Sequence, residues 1–272
     1  MPEGPEIRRE ADRISRALRG RRAESVFFAF DSLAPFASQL TDRTITAVEP
    51  RGKALLTRFD NHLNVYSHNQ LYGRWFVVRR DRLPDTTRQL RFAVHTAEHS
   101  ALLYSASDID VLHDDELEHH PFLAKLGPDV LSPSTKPAAL ITRLTDPRFT
   151  RRSLGALLLD QAFVSGLGNY LRSEILFVAR LDPSLRPKDL DPPQLRELAD
   201  ATLTIARRAY RHDGVTNDLD DARHLRAEGQ PRRQYRHFVF ARAGQPCRLC
   251  GMRIDKLSIA GRRLYRCPAC QS

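Results

Sequence analysis

Cys247-Arg248-Leu249-Cys250, sixteen further residues, and then Cys267-Pro268-Ala269-Cys270 carry all four cysteines of a 272-residue chain. Two Cys-x-x-Cys turns at this separation let four thiolates converge on the corners of a tetrahedron, the geometry that zinc takes. With every ligand a thiolate, no coordination position is left for a reacting water. The expected cofactor is therefore one structural Zn2+, held by Cys247, Cys250, Cys267 and Cys270. A segment of about 25 residues cannot bury a core of its own, and the metal supplies the missing folding energy. Disulfides are the competing reading, and a reducing cytoplasmic address argues against them.

Around these knuckles the charge is concentrated. From Ala222 onward there are twelve basic residues, Arg223 to Arg266, against two acids, Glu228 and Asp255, so the last fifth of the chain holds the whole net charge of +10. Residues 1–221 are neutral. A basic module on a neutral body fits a polyanion partner through charge attraction and counterion release; a solubility tail is the bland alternative. Gly261-Arg262-Arg263, between the knuckles, sets arginines at the expected tip of a hairpin, where phosphate contact competes with simple solvation.

Further out, the length exceeds one ordinary core, so two domains and a small third are expected. A composition 41% hydrophobic and 28% charged excludes disordered and fibrous classes. No apolar run approaches the roughly 20 residues that span a bilayer, and Met1-Pro2-Glu3-Gly4-Pro5-Glu6 has acids where a signal peptide has a basic region. These features predict a cytoplasmic protein with no membrane partner.

After Pro5, the apolar residues Ile7, Ala11, Ile14 and Leu18 recur at helical spacing up to Gly20, a favourable residue for closing a helix. From about 21 to 112 the pattern changes to short runs rich in Val, Ile, Phe, Tyr and Thr, at 25–30, 44–48, 54–59, 63–68, 75–79, 90–96 and 101–105, which predict an antiparallel sandwich or barrel. The middle reads as helical: 153–163, a segment through Leu171, Ile175 and Val178, and a third opened by Asp191 as N-cap with Pro192 and Gln194 behind it. Residues 212–234 are polar and lack apolar periodicity, which reads as a linker or mobile loop.

Among shorter motifs, His95-Thr96-Ala97-Glu98-His99 matches a metalloprotease string but runs out of a strand-like segment, so its histidines are not expected on one helical face. Asp114-Asp115-Glu116 reads as a solvated helix start. Gly166-Leu167-Gly168 lacks the third glycine of a dinucleotide fingerprint; the turn either joins two helices or, with Asn169, offers free N–H groups to a phosphate. Pro2 becomes a terminal secondary amine if Met1 is removed, with a pKa around 8, and such an amine can form a cationic iminium with an aldehyde-equivalent carbon. Glu3 beside it is a candidate acid or base. Lys53, in Arg51-Gly52-Lys53, stands alone in a long lysine-free stretch, with a surface charge as its plain reading.

Met1-Pro2-Glu3-Gly4-Pro5-Glu6, Arg51-Gly52-Lys53, Gly166-Leu167-Gly168-Asn169 and the terminal finger ending Cys267-Pro268-Ala269-Cys270-Gln271 occur here together and in order. Over its whole length the chain resembles the formamidopyrimidine-DNA glycosylase/endonuclease VIII family, and Ser67-His68-Asn69-Gln70-Leu71-Tyr72-Gly73 with Leu103-Tyr104-Ser105-Ala106-Ser107-Asp108 resembles its bacterial endonuclease VIII branch. The resemblance implies an α+β multidomain fold: an N-terminal helix on a two-layered antiparallel β-sandwich (1–125), a helix–two-turn–helix bundle (126–221), and a basic segment with a C-terminal four-cysteine zinc finger (222–272). It implies a bifunctional DNA glycosylase/AP lyase of base excision repair, acting as a monomer in the bacterial cytoplasm, near the nucleoid, on double-stranded DNA with damaged bases or abasic sites.

Carried over residue by residue, the resemblance makes Pro2 the nucleophile, Glu3 the acid that opens the sugar and Glu6 a supporting carboxylate. Lys53 holds phosphate and assists proton transfer, Asn169 and Arg262 hold phosphates, and Gln70, Leu71 and Tyr72 fill the void left by a flipped nucleotide, with Leu71 as the wedge. Arg262 is chosen over Arg263 because it directly follows Gly261, five positions before Cys267. The match thins over 213–232, and Arg266 stands where relatives often carry an aromatic residue. An oxidised pyrimidine is the expected substrate. The alternatives are a purine-directed formamidopyrimidine or 8-oxoguanine glycosylase and a non-catalytic zinc-ribbon DNA-binding protein; the presence of both Pro2 and Glu3 favours the enzyme.

Overall fold

Pro5 and Gly20 bracket the first element, α1 (Gly4–Leu18), of a computed structural model that describes residues 2–80 and 82–271. Met1, whose removal the sequence reading expects, lies outside the described residues. Ile7, Ala11, Ile14 and Leu18 are each 1% exposed, as their spacing on one helical face requires. Each such isoleucine or leucine contributes about 1.5–3 kcal/mol relative to exposure.

Behind α1 the chain runs through β1 (Ser25–Phe28), α2 (Ala34–Leu40), β2 (Ile45–Arg51), β3 (Ala54–Phe59), β4 (Leu63–His68), β5 (Arg74–Arg79), β6 (Leu90–His95), β7 (His99–Tyr104) and β8 (Asp108–His113). These form two antiparallel four-stranded sheets with strand orders β1-β6-β7-β5 and β2-β3-β4-β8. Alternation decides the layering. Leu55, Val65, Phe92 and Leu103 join α1 in one core, while their sequence neighbours Leu56, Tyr66, Ala93 and Leu102 belong to separate clusters. Trp75 closes the core edge-on to Phe92 at 5.8 Å.

The second half carries α3 (Pro137–Leu144), α4 (Leu154–Leu157), α5 (Asn169–Val178), α6 (Pro192–Arg211), α7 (Leu219–Ala227), α8 (Arg232–Tyr235), β9 (Asp255–Ile259) and β10 (Arg262–Arg266). Asp191 caps α6 as its sequence predicts, accepting from the Gln194 backbone N–H at 2.8 Å while the Gln194 side chain returns to Asp191 N–H. Chain contacts divide the molecule into two compact units, Pro2 with Glu6–Lys125 and Glu3–Pro5 with residues 126–271, so the finger belongs to the helical unit. No helix among the described residues is long and apolar enough to cross a membrane.

Three local readings need correction. Residues 153–163 are helical only over Leu154–Leu157, because Asp160 and Gln161 turn their side chains onto nearby backbone: Asp160 accepts from Ala162 N–H, and Gln161 binds both Gly166 N–H and Leu167 O. Residues 212–234 are not a structureless linker but contain α7, capped by Asp218 on the N–H groups of Asp220 and Asp221, and begin α8. The strand β8 was absent from the sequence reading; its alternation of Asp108 and Asp110 with Ile109 and Val111 sits half-buried against β4. His95 and His99, by contrast, end β6 and begin β7, the hairpin that excludes a helical zinc motif.

Candidate active site and zinc centre

Within the first unit, Pro2 lines a cavity of about 620 Å³ together with Glu6, Arg9, Glu10, Leu71 and Tyr72. Leu71 and Tyr72 are 61% and 68% exposed. They project from a reversal between β4 and β5 that closes with Gly73 N–H donating to Asn69 O at 2.7 Å. A Cβ on Gly73 would lie 2.6 Å from that same oxygen, so glycine is required there by close backbone approach. Gln70 adopts φ +49, and its side-chain oxygen accepts from Ser107 Oγ at 3.0 Å.

Lys53 sits at the turn between β2 and β3 and is buried, which removes the reading of a plain surface charge. Its charge is felt by His68, on the paired strand β4. Burial first, opposed by Asp108 and reinforced by Lys53, holds that imidazole below its ordinary value.

In the second unit the glycine-rich turn has a definite occupant. The Glu3 carboxylate, 4% exposed, accepts from the N–H groups of Tyr170 at 2.9 Å and Leu171 at 3.2 Å, the first turn of α5. Gly4 N–H donates to Gly166 O at 2.7 Å. A Cβ on Gly168 would fall 2.4 Å from the Glu3 carboxyl carbon, so only glycine leaves room for this carboxylate. The stretch lies between α4 and α5, as one of its two readings expects, and two free N–H groups of the α5 N-terminus hold an anion that is the protein's own Glu3. Asn169 starts α5, and its Oδ1 is buried without a hydrogen-bond partner among the described residues.

Arg262 lies on the hairpin of β9 and β10, whose Ala260-Gly261 turn has φ +52 and +68, the two-residue primed turn that glycine favours. Arg262 and Arg263 are both exposed. Their carbonyl oxygens accept from the buried guanidinium of Arg172 on α5 at 2.9 and 3.2 Å, and Arg172 also donates to Gly155 O at 2.5 Å. Burial, opposed by Glu3 and reinforced by Arg262, lowers the Arg172 pKa to about 10, which leaves it charged at neutral pH.

Sulfur atoms of Cys247, Cys250, Cys267 and Cys270 all lie within 4.8 Å of one another. Pairs stand at 3.4–3.9 Å, close to the roughly 3.8 Å edge of a tetrahedron with 2.3 Å zinc–sulfur bonds. The donor set and spacing fit one zinc and no catalytic water. Gln271 ties the last knuckle down, accepting from Cys267 N–H and donating to Leu181 O.

Sequence reasoning missed the buried charges that hold these parts. Glu174 on α5 is fully buried and accepts from Thr216 Oγ1 and from the N–H groups of Phe238, Val239 and Phe240 at 2.5–2.9 Å. Burial raises its pKa, against those hydrogen bonds. The available signal was that Arg172 and Glu174 interrupt a helix apolar on every side, Leu171, Ile175, Leu176 and Phe177. A charge in such a helix needs a buried partner.

Three family profiles match in register with these elements: "Formamidopyrimidine-DNA glycosylase N-terminal domain" over residues 1–107, "Formamidopyrimidine-DNA glycosylase H2TH domain" over 126–220 and "Zinc finger found in FPG and IleRS" over 244–272. The chain is 49% identical over 271 residues to "Endonuclease 8" of Escherichia coli (strain K12 / DH10B) and 48% identical to "Endonuclease 8" of Shigella sonnei (strain Ss046), with 100% of each chain covered. Among solved structures, MutM in complex with carbocyclic 8-oxo-G containing DNA has a TM-score of 0.81 at 20% identity, covering 100% of both chains. Lactococcus lactis Fpg with an abasic site containing DNA has 0.81 at 21%, covering 99% of both; at these identities the likeness establishes the fold.

Proposed function

The chain belongs to the formamidopyrimidine-DNA glycosylase/endonuclease VIII family, and from that premise we propose that Pro2, freed by removal of Met1, is the nucleophile of a glycosylase directed at oxidised pyrimidines. The class of activity follows from the family: a DNA glycosylase with AP lyase activity in base excision repair, carrying one structural Zn2+. The observation that carries the mechanistic reading is the placement of Pro2 in the wall of the cavity that also holds Leu71 and Tyr72.

A base inside a stacked duplex is out of reach, so the nucleotide must be extruded, at a cost of a few kcal/mol that is smallest for a damaged pair. Leu71, with Gln70 and Tyr72, enters the gap. The Pro2 nitrogen then forms a bond to C1′ as the glycosidic bond breaks, its N–H proton leaves with the displaced base, and Glu3, next in the chain, gives a proton to the ring oxygen so that the sugar opens to a cationic iminium. The α5 N-terminus keeps that carboxylate in one place. The iminium draws electrons from C2′–H; loss of this proton expels the 3′ phosphate, and a further proton loss expels the 5′ phosphate. Lys53, Asn169 and Arg262 hold phosphates of the damaged strand, Lys53 assists proton transfer, and Glu6 supports the proline side. Zinc holds the four cysteines together and takes no part in bond-making.

The same reading makes the protein a cytoplasmic, nucleoid-associated monomer working on double-stranded DNA. Borohydride reduction during reaction with duplex DNA containing thymine glycol is expected to trap a covalent protein–DNA adduct. Absence of an adduct from protein lacking Met1 by mass spectrometry would overturn the Pro2 mechanism. Faster turnover of 8-oxoguanine opposite cytosine than of thymine glycol would replace the pyrimidine preference by a purine one.

A further inference from the structure

We infer that Glu10 is a positioning residue: its carboxylate ties both stems of the Asn69–Gly73 reversal to α1 and thereby gives the Leu71 wedge something rigid to push from. The inference rests on the wedge role assigned to Leu71 in the proposed function.

Among the described residues, strand β5 is an edge of its sheet, paired with β7 alone. An edge strand leaves alternate N–H and C=O groups unpaired. At Trp75, helix α1 takes up both: the backbone N–H bonds to the Glu10 carboxylate, and the carbonyl accepts from Arg13 at 3.0 Å. Glu10 also reaches the other stem, where Oε2 accepts from Asn69 Nδ2 at 2.8 Å. Asn69 is 2% exposed, and its Oδ1 has no partner among the described residues, so the bond to Glu10 fixes the orientation of that amide. One carboxylate therefore grips the residue that opens the reversal and the second residue after its close.

Between those grips the loop has few other restraints. Gly73 N–H reaches Asn69 O, Arg88 Nη1 donates to Tyr72 O at 2.6 Å from an exposed position, and Ser107 meets the exposed Gln70. Leu71 and Tyr72 contribute little burial of their own. Insertion into stacked bases is work done against resistance, and a loop that yields transmits little of it. A carboxylate has the chemistry this position requires, accepting two hydrogen bonds from two different chain segments.

The distinguishing experiment compares a step that needs base opening with one that does not. Glu10→Ala, Asn69→Ala, Glu10→Gln and Leu71→Ala are assayed for excision of thymine glycol paired with adenine, with 2-aminopurine beside the lesion reporting opening, and for incision of a single-stranded oligonucleotide with a preformed abasic site. Glu10→Ala and Asn69→Ala are expected to slow opening and duplex excision about tenfold or more while changing single-strand incision by less than about threefold. Glu10→Gln, which keeps one acceptor and sets an NH2 against the second donor, is expected to fall between Glu10→Ala and the parent enzyme on the duplex and within about threefold of the parent on the single strand. Equal slowing on both substrates, or no slowing by Glu10→Ala while Leu71→Ala is impaired, overturns the positioning role alone. Undiminished duplex excision by Leu71→Ala overturns the wedge reading itself, and the role of Glu10 falls with it.

Discussion

Two exposed turns of this protein are pinned from below by charges of opposite sign, one half-buried and one fully buried. The Asn69–Gly73 reversal hangs from the Glu10 carboxylate, which collects donors; the tip of the β9–β10 hairpin hangs from the Arg172 guanidinium, which collects the carbonyls of Arg262 and Arg263. The first presents a leucine and a tyrosine, the second two arginines. The difference follows from what each turn lacks. The edge of a β-sandwich has spare N–H groups and a folded sheet behind it, so one acceptor suffices. The finger, with little core of its own, needs a five-donor side chain on one side and a metal on the other.

The strongest way to break the comparison is to remove the metal. Chelation of zinc, or Cys250→Ser, is expected to unfold the β9–β10 hairpin and weaken duplex binding about 100-fold or more, while the fluorescence of Trp75, the only tryptophan, stays that of the parent protein. A change in Trp75 emission on chelation would mean that the two turns do not stand on separate supports.

Next in size is Arg172→Ala. The carbonyls of Gly155, Arg262 and Arg263 lose their donor, a loss of about 3 kcal/mol in stability. Arg172→Lys is expected to recover little of it, because one ammonium cannot span carbonyls that a planar fork reaches together. Urea denaturation of both variants measures this, and parental stability in Arg172→Ala would show that zinc alone holds the hairpin.

The smallest effect is expected at the tip. Arg262→Ala removes a side chain and leaves both supports, so stability should not change, while the slope of log affinity against log salt concentration falls by about 1. Filter binding across a salt series gives the slope. If the slope is unaltered there but falls in Arg263→Ala, the phosphate contact belongs to the neighbouring arginine.

Much of the scaffold was legible because it is written in local patterns. The α1 face of Ile7, Ala11, Ile14 and Leu18, the Asp191 capping box and the hairpin that disarms His95 and His99 each depend on residues within a few positions of one another. α7 was hidden because its cap, Asp218, opens a segment with only Ala222 buried, too weak an apolar stripe to register. In the candidate site, the type of Pro2, Glu3 and Lys53 could be read, but not what surrounds them. That Lys53 is buried, or that Glu3 fills the α5 N-terminus where a phosphate was one expectation, depends on segments up to 168 positions apart.

By itself the sequence determined the zinc ligands, the family and the succession of a first helix, a strand-rich part, a helical part and the finger, since spacing and motif identity are properties of the linear chain. Only the tertiary structure decided which charges are drawn in from solvent and whom they hold: half-buried Glu10 on Asn69, and buried Glu3 on Tyr170 and Leu171, Arg172 on the finger, Glu174 on residues 238–240. A buried charge is stable only where backbone donors or acceptors converge on it, and that convergence arises from folding, at no fixed separation along the chain.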